Sequence, residues 1–259
     1  MAETAAFSLD SVTVGTFALI AGAAFFGSIV SGMSGFGAGL IISAFLAPII
    51  GVKALVPVIG VMMLFNNGSR VWFYRHGLDL RAAALVCIPA IPTAILGAIV
   101  YTRLDAVVIS LILGWVLILS VPARRWLHRK EIRLGHKGLG VFGFVWGFLN
   151  STMIGTGLLV VPVLLGAGLF SQALLATDAA IAVAINIVKA IAFGRLEVLT
   201  PALFIAACIV GLFTIPGNWV ASWIVKNTSV RIHTIFMEIF ITGAGFGFLW
   251  YFGRGMAWY

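Results

Sequence analysis

The sequence predicts an all-α, polytopic membrane protein built from two homologous halves, and three observations carry that expectation. First, 62% of its 259 residues are hydrophobic and only 9% are charged, against roughly a quarter charged in a soluble domain. Second, mean hydropathy is +1.15, and a bilayer crossing takes about 20 apolar residues, so the length allows several spans and no soluble domain beside them. Third, the chain repeats itself at a shift of about 120 residues. The expected organisation is one transmembrane domain over residues 1–259, with repeat 1 at about 12–122, a basic loop at about 123–137 and repeat 2 at about 138–252.

The repeat rests on residues that are not cheap to match in an apolar chain. At a shift of 120, Gly27, Ser31, Met33, Gly35 and Gly37 meet Gly147, Ser151, Met153, Gly155 and Gly157. At 119, Asn67 meets Asn186 and Arg70 meets Lys189; at 120 again, Gly97 meets Gly217.

Each half then carries four apolar blocks, at about 12–50, 54–76, 82–102 and 106–122, and at about 138–170, 172–194, 198–222 and 232–252. The first block of each half is too long for one straight helix and is broken by SGMSGFG or STMIGTG. Glycine destabilises a helix by about 1 kcal/mol relative to alanine. In hydrocarbon a broken backbone persists only against protein or a water-filled cavity. Paired, glycine-interrupted segments point to a transporter's binding site. Irregular breaks are therefore expected over 31–39 and 151–157, facing each other, with Ser31, Ser34, Gly35, Gly37, Ser151, Thr152, Gly155 and Thr156 as candidate substrate contacts. The competing reading is close helix packing of the GxxxG kind through Gly35 and Gly39.

The next blocks carry charge. Arg70, Asp178, Lys189 and Glu238 all lie in apolar stretches, where ionised side chains are expensive and functional by default. Asn67 with Arg70, and Asn186 with Lys189, each share a helix face through their i,i+3 spacing. Two amides and two cations would suit an oxyanion; the alternative is that both cations snorkel to the headgroups. Asp178 has Ile59 at its matching position, and it and Glu238 are candidates for structural pairing or for carrying a proton. Trp72, Trp115, Trp146, Trp219, Trp223, Trp250 and Trp258 read as interface aromatics.

The net charge of +8 reports topology before partners. Its densest stretch, RRWLHRKEIRLGHK at 124–137, fits a cytoplasmic loop, and no RNA-binding motif accompanies it. Eight spans follow if each broken block crosses once, ten with inverted halves if each crosses twice; the positive-inside count is the same for both. Cys87 and Cys208 lack CxxC spacing and read as apolar filler. The N-terminal MAETAAFSLD has no basic residue ahead of its apolar run and makes a poor cleavable signal.

SGMSGFGAGLI, its echo STMIGTGLLVVP and the duplication resemble the sulfite exporter TauE/SafE family, also called the toluenesulfonate uptake permeases, over about residues 17–252. The resemblance implies a multi-pass carrier of bacterial or archaeal cell membranes, with seven or eight spans, moving sulfite, sulfoacetate, other organosulfonates or related anions. The second motif departs from the first, with Thr152 for Gly32 and Thr156 for Phe36, so the two breaks are not expected to bind alike.

The function expected is a secondary transporter, in the export direction, of a small sulfur-containing anion. A carrier for another anion or for a cation or metal is the alternative, and clustered Asp, Glu, His and Cys ligands are scarce for the latter. An enzyme is disfavoured: no GxxxxGK[ST], HExxH or GxSxG motif occurs. No cofactor or metal is expected; the partners expected are the anion and the lipid bilayer, without nucleic acid, and a homo-oligomer is compatible with the sequence.

Overall fold

The structure, a computed structural model, describes residues 13–109 and 135–227, with scattered positions at 111–122 and at 246 and 250. Expectations for most of the basic loop, for Glu238 and for most of the last block lie outside the described residues. Helices follow in the order α1 (Val14–Ser34), α2 (Ala38–Ile50), α3 (Val52–Tyr74), a 3-10 turn (Arg75–Gly77), α4 (Leu80–Thr102), α5 (His136–Thr152), α6 (Gly157–Gly166), α7 (Ser171–Arg195), α8 (Pro201–Leu212) and α9 (Thr214–Asn227). There is no strand among the described residues. Five stretches there are long and apolar enough to cross a bilayer: Val14–Ser34, Val52–Gly77, Leu80–Thr102, Ser171–Arg195 and Pro201–Val225.

Local sequence explains where the helices begin and end. Asp79 and Thr200 cap α4 and α8 by accepting from the N–H of Ala82 and Leu203, with Pro201 at the first helical position of α8. Pro216 cannot donate to Leu212, which fits the one-residue interruption at Phe213 between α8 and α9. The broken blocks stop for a sharper reason. Gly35 (φ 91°) and Gly37 (φ 113°) end α1 and precede α2, while Gly155 (φ 89°) sits between α5 and α6. These are left-handed conformations that a side chain would strain. Both breaks are shorter than expected, because α1 runs on to Ser34 and α5 to Thr152.

The chain reverses at the first break. A Cβ on Gly27 would lie 3.5 Å from Ala38 Cα and Ile41 Cβ; a straight helix would carry Ile41 about 21 Å beyond Gly27. Val14 and Phe17 at the start of α1 accordingly share a cavity wall with Ile49 and Ile50 at the end of α2. α6 also turns back, joining the end of α5 to the start of α7, which lies beside the α3–α4 turn at Gly77.

Contacts fix the remaining directions. α4 and α5 run parallel, with Val86 and Ala90 against Gly143 and Gly147, and Gly97 against Phe148. α7 runs with them, pairing Asp79 with Thr177 and Tyr101 with Phe193. α1, α3 and α9 run the other way, pairing Ser31 with Asn66, Phe17 with Phe213 and Ser28 with Gly217. Backbone-close packing through glycine thus occurs at Gly143 and Gly147 rather than at Gly35 and Gly39. Two apolar clusters result, one around α1–α3 and α8, the other around α4–α7.

Candidate functional site

The two hairpins meet tip to tip. A methyl on Gly39 would lie 3.5 Å from Ile154 Cγ2, and one on Gly157 would lie 3.4 Å from Phe36 Cβ. Between the tips and the facing helices α3 and α7 is a cavity of about 90 Å³. A water takes roughly 10–15 Å³ by this measure, so the space suits a few waters or one small ion. Sites for drug-sized ligands are several times larger.

The helix ends around this cavity are not equivalent electrostatically. α1 and α5 finish here with their carbonyl ends, and each meets a buried cation. Arg70 Nη1 donates to Gly35 O at 3.0 Å, and Lys189 Nζ donates to Asn150 O at 2.8 Å. Cations at helix C-termini offset the negative end of the dipole. α2 and α6 begin here instead. Neither has a side-chain cap, and in α2 the first intrahelical bond is donated by Ile41. Ala38, Gly39 and Leu40 therefore present N–H groups ahead of the helical ladder, on the cavity wall. Such ends are ready-made for anions.

The two cations differ in what else they hold. Arg70 is 1% exposed. Its guanidinium also reaches Asn67 Oδ1 (3.0 Å), Leu175 O (3.4 Å) and Asp178 Oδ2 (2.9 Å), tying the first hairpin tip to α3 and α7. Tyr74 adds a bond to Gly32 O. Arg70 does not line the cavity, although Asn67 and Asp178 do. Lys189, 5% exposed, does line it. Its other bond is to Asn150 Oδ1 at 3.2 Å, and it has no carboxylate partner among the described residues. Neither cation snorkels: both turn inward.

Of the candidate contacts, Ser31, Gly35, Gly37, Asn67, Gly155, Thr156, Asn186, Lys189 and Asp178 come together around the cavity. Ser34, Arg70, Ser151 and Thr152 are not on its wall. Ser34 Oγ donates to Val30 O and Phe36 O, bracing the break from behind. Thr152 Oγ1 folds back onto Phe148 O and Leu149 O. Ser151 is buried towards α4, its Cβ 3.0 Å from where a Cβ on Gly97 would be. Glu238 is outside the described residues.

The sequence reading missed Asn150, Asn66 and Trp146, which all line the cavity. Asn150 Nδ2 donates to Thr156 Oγ1 at 2.9 Å and Trp146 Nε1 to Thr156 O at 3.0 Å, so they hold the second break in shape. Trp146 is 1% exposed and no interface residue, whereas Trp72 is exposed and stacks under Arg75, 4.4 Å from its ring centre. An asparagine inside an apolar block was a usable signal. No cluster of three or more potential metal ligands occurs among the described residues.

Apolar spans, reversing half-helices and a small polar cavity between them define a polytopic membrane transport protein. The chain belongs to the sulfite exporter TauE/SafE family, whose sequence profile matches residues 20–248; that family comprises membrane transporters of sulfur anions. No curated protein and no solved structure matches it significantly.

Proposed function

We propose that this protein is a secondary carrier that exports a small sulfur oxyanion such as sulfite across a bacterial or archaeal inner membrane. The observation that carries the reading is Lys189: a buried ammonium without a carboxylate partner among the described residues, on the wall of a cavity that the start of α2 also lines. An anion there meets the Lys189 ammonium and the uncapped start of α2 in place of its hydration shell. The cavity's small volume favours an inorganic oxyanion over a bulky organosulfonate.

The architecture we propose is a pair of inverted homologous halves with ten membrane segments. The helix directions support it, since α1 and α3 oppose their counterparts α5 and α7. So do reciprocal contacts: Gly97 of the first half packs on Phe148, and Gly217 of the second packs on Ser28, both shifts being 120. Inverted repeats with half-helices at the centre suit alternating access around one site.

Lys189→Gln tests the function. A charge-assisted bond contributes about 1.5–3 kcal/mol, so sulfite flux into proteoliposomes should fall roughly tenfold to hundredfold at limiting concentration. Near-normal flux in a folded variant would remove Lys189 from the site.

A further inference from the structure

An ionised group buried in a membrane protein is stable only with its charge answered. Asp178 answers Arg70. At the position 119 residues before Asp178 stands Ile59, and beside it Gly60. Both line the cavity with Lys189. A Cβ on Gly60 would lie 3.6 Å from Lys189 Cε, 3.9 Å from its Nζ and 3.7 Å from Asn186 Oδ1. These are ordinary contact distances, so a methyl would fit beside the ammonium at a position where α3 places no side chain.

Building on the transport reading, we infer that Gly60 is a specificity-determining residue: its bare backbone holds open the place where a carboxylate would neutralise Lys189. The substrate takes that place and completes the ion pair. Selection is then by charge, because a neutral solute leaves Lys189 unanswered and a cation is repelled. A side chain of either polarity at Gly60 narrows the seat, but only an acidic one fills the electrostatic role.

The test compares Gly60→Asp with Gly60→Asn, which match in shape and differ in charge. Sulfite binding is measured by calorimetry on purified protein whose elution profile and melting temperature show it folded. The expected result is a loss of about tenfold or more for Asp, with most affinity kept by Asn. Equal binding by the two, or equal loss in both, overturns the role of charge at Gly60. A wild-type protein that binds no small oxyanion overturns the transport reading and this inference with it. Should the Asp variant not fold, Gly60→Cys in a background with Cys87 and Cys208 replaced by alanine is labelled with a sulfonated thiol reagent. Sulfite protects that thiol if the inference holds; unchanged labelling overturns it.

Discussion

Replacing Arg70 should damage the fold more than any other single change among the buried charges described here. Arg70→Met strands the Asp178 carboxylate, whose side chain is 4% exposed, and removes the donor to Gly35 O, Asn67 Oδ1 and Leu175 O. Breaking a buried pair by deleting one partner costs about 3–5 kcal/mol. Asp178→Asn is milder, since the guanidinium keeps its three neutral acceptors and the new amide oxygen can still accept; about 1–3 kcal/mol is expected. Arg70→Met with Asp178→Leu exchanges the pair for apolar side chains and should recover most of the loss. A proportion of roughly 2–4 °C per kcal/mol puts Arg70→Met about 10 °C below wild type in a detergent melt. The double variant should lie within a few degrees of wild type. A single variant that melts like wild type, or a double variant that melts at the sum of its singles, would refute the pin between the first hairpin tip, α3 and α7.

Two further outcomes follow from the packing. Gly147→Val would drive its side chain into the α4 backbone at Ala90 and into Thr93; overpacking of this kind costs about 1–3 kcal/mol or more, so the variant should melt several degrees lower or express poorly. Asn150→Ala removes the amide that bridges Lys189 and Thr156, and should weaken sulfite binding measurably while the melting temperature moves little, because the backbone contact from Lys189 to residue 150 survives.

Much of this arrangement could be read from the residues, and the gaps have physical causes. Glycines in SGMSGFG and STMIGTG mark where helices stop, since the cost of glycine in a helix is local. They do not say where the chain goes next. The reversal depends on Gly27 meeting Ala38 and Ile41, a contact no short-range pattern encodes. The charges were visible, and so was the lack of an acid matching Asp178. That this separates an Arg70 paired with Asp178 from a Lys189 held only by Asn150 among the described residues depends on reach across α3 and α7. Ser151 and Thr152 were drawn in by symmetry with Ser31 and Gly32, yet α5 turns them towards α4 and its own carbonyls. Asn150 was lost for the converse reason: its counterpart 120 residues earlier is Val30, so a search for repeated polar residues passes over it.

The seating of α5 on α4 has a consequence for how the protein is made. The alanine and glycine face of α4, from Ala82 to Ala98, is covered by a helix that begins at His136. During synthesis that face leaves the insertion machinery before its cover has been translated, and α1 waits longer still for α9. Neither half can reach its final packing alone. The contacts among α1, α2 and α3 need nothing beyond residue 74, whereas the small-residue strip of α4 waits beside lipid until α5 arrives, and seating α5 on it becomes a later docking event.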